Sequence, residues 1–287
     1  MMAHVAEASE DSGRVLFWLD PNLRAELAAI DGASRLAAAF GSEIETLVVN
    51  DGALPRALDL PVSRVIDGVS GNGDHLSDQD TARVLDLIGE RQRRDIETYA
   101  GKFGVPCHHT ITAGEAIDQL TGMCLMSGPW NVIALAHAPT AATAATISAI
   151  MANVSGATAV VVAARTALRS FGPVAVVAED CERLPSMLRA AMRLKQPGAL
   201  VHVFLAADTF ANLRELEAQT RILTSERDDL VFETSEPTFA LEGTFDERLR
   251  SLAPSYVIAR FGGNLLPSAK SLPRTVSLAG APFLLVR

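Results

Sequence analysis
Residues 131–136 read NVIALA and residues 255–260 read SYVIAR, two short aliphatic runs of nearly one pattern in opposite halves of a 287-residue chain. Runs of this length, bounded by turn-forming residues, read as buried strands rather than helices. Outward from the first, RVLFWL (14–19), EIETLVV (43–49), residues 105–112 and ATAVVVA (157–163) are further strands. Helical spacing fills the gaps, over about 23–40, 81–103, 115–126 and 146–154; in the first of these Leu23, Leu27, Ile30, Leu36 and Phe40 recur until Gly41 stops them. Outward from the second, PVAVVA (173–178), 200–206, 230–234 and APFLLV (281–286) are strands, with helices over about 182–195, 210–226, 246–252 and 268–276. Thr244-x-x-Glu247 has the spacing of a capping box ahead of the third of these helices. The order β-α-β-α-β-α-β-α-β therefore occurs twice.

Such alternation predicts parallel strands joined by right-handed crossovers, with helices on both faces. The chain divides into a loose tail (1–13), a first domain (14–165), a linker near 166–172 and a second domain (173–287). The first domain is longer mainly through a Gly/Asp/Pro-containing connection over 51–79, with a short strand or turn around 62–66. Composition agrees: 48% hydrophobic and 21% charged residues allow two sizeable cores.

Charge and cysteine usage exclude several classes. The net charge is −9, and Arg91, Arg93 and Arg94 are interleaved with Glu90, Asp95 and Glu97 as on a solvated helix face. A nucleic-acid partner calls for a basic stripe, so none is expected. Cys107, Cys124 and Cys181 are scattered without CxxC spacing, which predicts neither disulfides nor a zinc site. No apolar run reaches the roughly 18 residues of a membrane span, and residues 1–13 lack the pattern of a signal peptide. The expected location is the cytoplasm, away from membranes.

The two copies agree in finer detail. Each first strand closes on Asp (Asp20, Asp180), and each third strand leads through Gly (Gly114, Gly243) into a helix. With the matched fourth strands, these features resemble the universal stress protein family over about 14–165 and 173–287. The resemblance implies an α/β fold of two tandem doubly wound parallel five-stranded sheets, strand order 3-2-1-4-5, packed as a pseudo-dimer. Its terminal strands (157–163 and 281–286) are implied at the interface, and one continuous sheet is not expected. Many members hold ATP at the carboxyl end of the sheet with a G-x-x-G-x9-G-[ST] loop after strand four; others lack the motif and do not.

Here the motif positions fall on Ala136, Pro139, Ala145 and Thr146 in the first half, and on Arg260, Gly263, Ala269 and Lys270 in the second. Both loops are shortened alike. Glycines let backbone N–H groups approach phosphate closely, whereas Pro139 has no N–H and Ala136 adds a Cβ. The first cradle is expected to be lost. In the second, Gly262 and Gly263, with Arg260, Ser268 and Lys270 nearby, could still hold an anion.

Asp20 and Asp180 lie where open α/β sheets bind ligands, a position that faces adenosine in the resemblance; each could equally cap the helix after it. Arg260 is expected to pair with Asp180, and His137 to lie near Asp20 as a structural histidine. His108 and His109, adjacent on a strand, should face opposite sides and share no metal. Cys181, read as opening a helix, is placed where the helix dipole could lower its pKa, although an inert thiol is the default reading. Met123, Met126 and Met151 read as core filler. No residue is assigned a catalytic or metal-binding role, and no cofactor is expected, with ATP or AMP as the alternative.

The resulting expectation is a non-catalytic regulatory or stress-response protein. Its partner would be a protein or a small anionic ligand, and the tandem chains could form a homodimer. The alternatives are a nucleotide-binding universal stress protein, an adenylate-using enzyme of the same fold with its site in the second half, or an interaction module using 51–79. Against the enzyme, the turns after the first strands, Asp20-Pro21-Asn22-Leu23 and Asp180-Cys181-Glu182, are acidic and lack Gly.

Overall fold
The structure, a computed structural model, describes residues 13–19, 24–50, 65–66, 73–74, 78–126, 130–167, 169–224, 227–234, 244–263 and 272–287. Asp20, Gly243, Ser268, Lys270 and most of the tail and of 51–79 lie outside the described residues.

The first half runs β1 (Gly13–Leu19), α1 (Leu27–Phe40), β2 (Glu43–Asn50), β3 (Val65–Ile66), β4 (Gly73–Asp74), α2 (Asp78–Gly101), β5 (Cys107–Ala113), α3 (Ala116–Met126), β6 (Trp130–Leu135), α4 (Ala141–Asn153) and β7 (Ala157–Val162). The second runs β8 (Val174–Ala178), α5 (Leu184–Leu194), β9 (Val201–Leu205), α6 (Phe210–Thr224), β10 (Leu230–Thr234), α7 (Thr244–Leu252), β11 (Tyr256–Arg260), α8 (Leu272–Ala279) and β12 (Phe283–Val286). Strands β3 and β4 pair antiparallel as a small ribbon inside the long connection.

Local chemistry accounts for the elements. All five residues of β8, VAVVA, are buried, as a strand covered on both faces requires. Gly41 ends α1 in the left-handed region (φ 61°), and the Ser42 N–H donates to the Ala37 carbonyl at 2.9 Å. Pro185 sits in the first turn of α5, where no intrahelical N–H is needed. In α4 the alanine-rich start AATAAT carries high helix propensity but no apolar period, so the helix begins at Ala141 rather than near Thr146. Thr244, expected as a cap, is already the first residue of α7. Several residues placed on apolar stripes are solvent-facing: Leu27 is 50%, Leu87 64% and Met126 78% exposed. Met126 is therefore not core filler, while Met123 and Met151 do pack against a core.

The sheet order is β10-β9-β8-β11-β12-β7-β6-β1-β2-β5. Each half has the 3-2-1-4-5 order with all its pairings parallel. The two five-stranded sheets are not separate, however, and here the expectation is corrected. The last strands of the halves pair antiparallel, Val162 opposite Phe283, Val161 opposite Leu284, Val160 opposite Leu285 and Ala159 opposite Val286, giving one ten-stranded sheet. Each of these strands is the outermost of its own half, and joining them satisfies two otherwise bare edges.

Two cores flank the sheet and each spans both halves. On one face α1 and α2 meet α5 and α6; on the other α3 and α4 meet α7 and α8. Across the junction, Arg35 of α1 forms a 2.8 Å ion pair with Asp31 and donates to the Ser255 carbonyl at 2.9 Å. Its guanidinium lies 5.5 Å from the centre of the Tyr256 ring, whose hydroxyl donates to the Gly32 carbonyl at 3.3 Å.

Candidate functional site
Open α/β sheets take ligands in the crevice outside the carboxyl ends of the strands, where the strand order reverses. That point lies between β1 and β6 in the first half and between β8 and β11 in the second.

In the first half, Glu26 spans the crevice. It is the N-cap residue of α1, and its N–H donates to the Ala136 carbonyl at 2.9 Å. Its carboxylate accepts from the Ala138 N–H at 3.2 Å and from Arg165 Nε at 2.7 Å. An internal anion thus holds a backbone N–H of the loop after strand four. Pro139 and Ala136 are buried in the same loop, and His137 is half-buried there.

The helix that follows is closed by its own side chains. The Thr140 hydroxyl accepts from the Thr143 N–H at 3.2 Å, and the Thr143 hydroxyl accepts from the Thr140 N–H at 3.0 Å, a capping box. Thr146 lies in the second turn of α4, not at its start, so the structure does not bring it to the loop where a phosphate would be held.

In the second half, Asp180 and Arg260 meet as expected, Oδ2 to Nη1 at 3.5 Å. Asp180 also does the capping-type work: its Oδ1 accepts from the Arg183 N–H at 2.8 Å, and its Oδ2 pairs with Arg183 Nη1 at 3.0 Å. Arg183 Nε donates in turn to the Arg287 carbonyl at 2.7 Å. Gly262 is exposed with φ 73°, a conformation that favours glycine. Gly263 is buried, and the Glu179 carboxylate fills the space that a Cβ there would need. A second internal anion therefore sits on the retained glycine.

Glu26 and Glu179 are the residues that sequence reasoning missed. Glu179 is the neighbour of Asp180, but nothing in its spacing marks which acidic residue turns toward the fourth-strand loop. Glu26 has no acidic counterpart at the N-cap of α5, where Arg183 stands.

Other polar groups are accounted for structurally. His108 and His109 face opposite sides, His108 Nε2 lying 3.2 Å from Glu43 and His109 Nε2 2.9 Å from Glu97. Thr46 Oγ1 is 2.5 Å from His109 Nδ1, so hydroxyl, imidazole and carboxylate stand in a row. Thr46 is only 1% exposed, and no substrate reaches its hydroxyl. Arg93 pairs with Glu90 and Glu97, and Arg94 with Glu90, on the solvated face of α2.

All three cysteines are free. Burial pushes Cys107 and Cys124 up to about 11. Cys181 lies in the turn before α5, not on the helix, and its pKa is also raised, first by desolvation and then by Glu215 and Asp180. Among the described residues no group of three or more His, Cys, Asp or Glu could hold a metal ion, and no helix is long and apolar enough to cross a membrane.

No family model and no curated protein matches the chain. Solved structures do match. A universal stress protein from Archaeoglobus fulgidus DSM 4304 superposes with TM-score 0.62 at 10% identity, covering 95% of this chain and 96% of that one. A putative universal stress protein from Pseudomonas aeruginosa UCBPP-PA14 gives 0.52 at 14% identity, covering 96% and 94%. A protein of unknown function from Pseudomonas aeruginosa PAO1 gives 0.51 at 14%, covering 96% and 93%. The chain has the universal stress protein fold in its tandem form.

Proposed function
We propose that this chain is a non-catalytic regulatory protein of the stress-response kind that holds no nucleotide in either half. The likeness in fold to universal stress proteins supports the stress-response part of this reading. The observation that carries the rest is the placement of Glu26 and Glu179. In each half a carboxylate from the segment after the first strand lies on the loop after the fourth. A phosphate entering either crevice meets a like charge, and in the first it must also displace Glu26 from the Ala138 N–H and Arg165.

In the second crevice the Arg260 guanidinium, 39% exposed, is shared with Asp180 rather than open for a ligand. The chain would act in the cytoplasm through a protein partner or a second copy of itself. The competing reading, ATP or AMP held by Asp180, Arg260, Gly262, Gly263, Ser268 and Lys270, is favoured among the described residues by the left-handed backbone at Gly262.

Thermal melts with ATP and with AMP separate the two. A site filled to 100 times its Kd adds about 2.7 kcal/mol. No shift is expected in the wild-type chain. A saturable shift that Arg260→Ala abolishes would overturn the proposal in favour of a second-half nucleotide site.

A further inference from the structure
We propose that a cleft between α5 and α6, on the helical layer away from both crevices, binds a small amphiphilic carboxylate. The cleft has a volume of about 600 Å³, within the range of small-molecule sites. Its floor is apolar: Leu188 is buried, and Met192 and Leu230 pack partly against the core.

Three arginines stand around that floor, and among the described residues no acidic one lines it. Arg189 and Arg193 are one helical turn apart on α5 and so share a face. Arg227 reaches the cleft from the segment between α6 and β10. Arg193 is held over the Phe40 ring of α1 at 5.0 Å, which fixes one wall from the other half of the chain. Asp228, next to Arg227 in sequence, is exposed and does not line the cleft, and Asp229 is paired with Lys195 at 3.1 Å, with Arg227 adding a weaker pull. Among the described residues, neither Arg189 nor Arg227 is ion-paired to a carboxylate.

The chain as a whole carries a net charge of −9, so a cationic rim over an aliphatic floor runs against its surface average. Guanidinium groups match a carboxylate head in fork geometry, and the floor takes an aliphatic body. This inference does not depend on whether either crevice holds nucleotide, since the cleft shares no residue with them.

The test is calorimetric titration of the full chain with decanoate, below the concentration at which it self-associates, beside decanol and decyl phosphate. Decanoate is expected to bind with one-to-one stoichiometry and decanol much more weakly. Arg189→Gln/Arg227→Gln should weaken decanoate about tenfold while leaving the melting temperature unchanged, because both side chains are exposed. No decanoate binding, equal binding of decanol, or an unaffected double variant would overturn the proposal. Decyl phosphate binding where decanoate does not would overturn the choice of a carboxylate. Leu223→Trp, at the rim of the cleft, should block binding by bulk alone, and retained binding in that variant would place the ligand elsewhere.

Discussion

Removing Arg35 should damage the junction between the two halves more than any surface substitution. Its side chain is 11% exposed and that of Asp31 4%, so Arg35→Ala leaves a carboxylate buried without its partner. Breaking a buried pair in this way costs about 3–5 kcal/mol. For a chain of this size the melting temperature should fall by at least about 6 °C. The same substitution removes the bond to the Ser255 carbonyl and the stacking on Tyr256, so the loss falls on contacts between the halves.

The deficit should also depend on pH. Desolvation raises the Asp31 carboxyl above its ordinary 3.8, with Arg35 and more weakly Lys102 pulling it down. Without Arg35 the upward push is less opposed. A raised folded-state pKa costs stability in full above that pKa and nothing below the unfolded one. The Arg35→Ala deficit is therefore largest at neutral pH and narrows as pH falls into the carboxylate range. Denaturant melts at several pH values, with Asp31→Leu/Arg35→Met as the apolar control, measure this. The control should recover most of the loss. An Arg35→Ala deficit no larger than that of exposed Arg94→Ala, within about 0.5 kcal/mol, would refute the reasoning, as would a deficit that grows with acid.

Three further outcomes are expected. Gly263→Ala puts a Cβ where the Glu179 carboxylate lies; that carboxylate ends a flexible, half-buried side chain and can swing aside, so the cost should stay under about 1 kcal/mol and vanish in the Glu179→Ala background; a larger loss that persists in that background would separate Glu179 from Gly263. Thr140→Ala should cost about 1 kcal/mol as a lost cap and Thr146→Ala clearly less, which chemical denaturation resolves; the reverse order would move the start of α4 back to Thr146. Alkylation of the native chain by iodoacetamide at neutral pH should be slow at all three cysteines, since each thiol pKa lies above its ordinary value; a fast-reacting Cys181 would restore the helix-dipole reading.

The repeated alternation of strands and helices was legible because buried strands such as VAVVA and ATAVVV are aliphatic runs broken by at most one polar residue, Thr158. That the terminal strands β7 and β12 meet was implied by the resemblance and holds, but their pairing into one sheet left no trace in composition. An edge strand that joins another edge and one covered by solvent-facing loops can have the same composition, so the sheets were expected apart. The start of α4 was misplaced because an alanine run has no apolar period to locate its first turn. At the crevices, Asp180 and Arg260 were readable as charges at aligned strand ends. Glu26 and Glu179 were not, because loop conformation, not spacing, turns them inward.

The antiparallel seam has a consequence for synthesis. As the chain leaves the ribosome, the first half can fold with Val160 and Val162 on an open edge, and their partners Leu285 and Phe283 are made only after the rest of the second half. Throughout that interval a nascent first half offers bare aliphatic backbone to any neighbouring polypeptide. Chaperone demand during translation, rather than the stability of the finished molecule, is therefore where this architecture is most exposed.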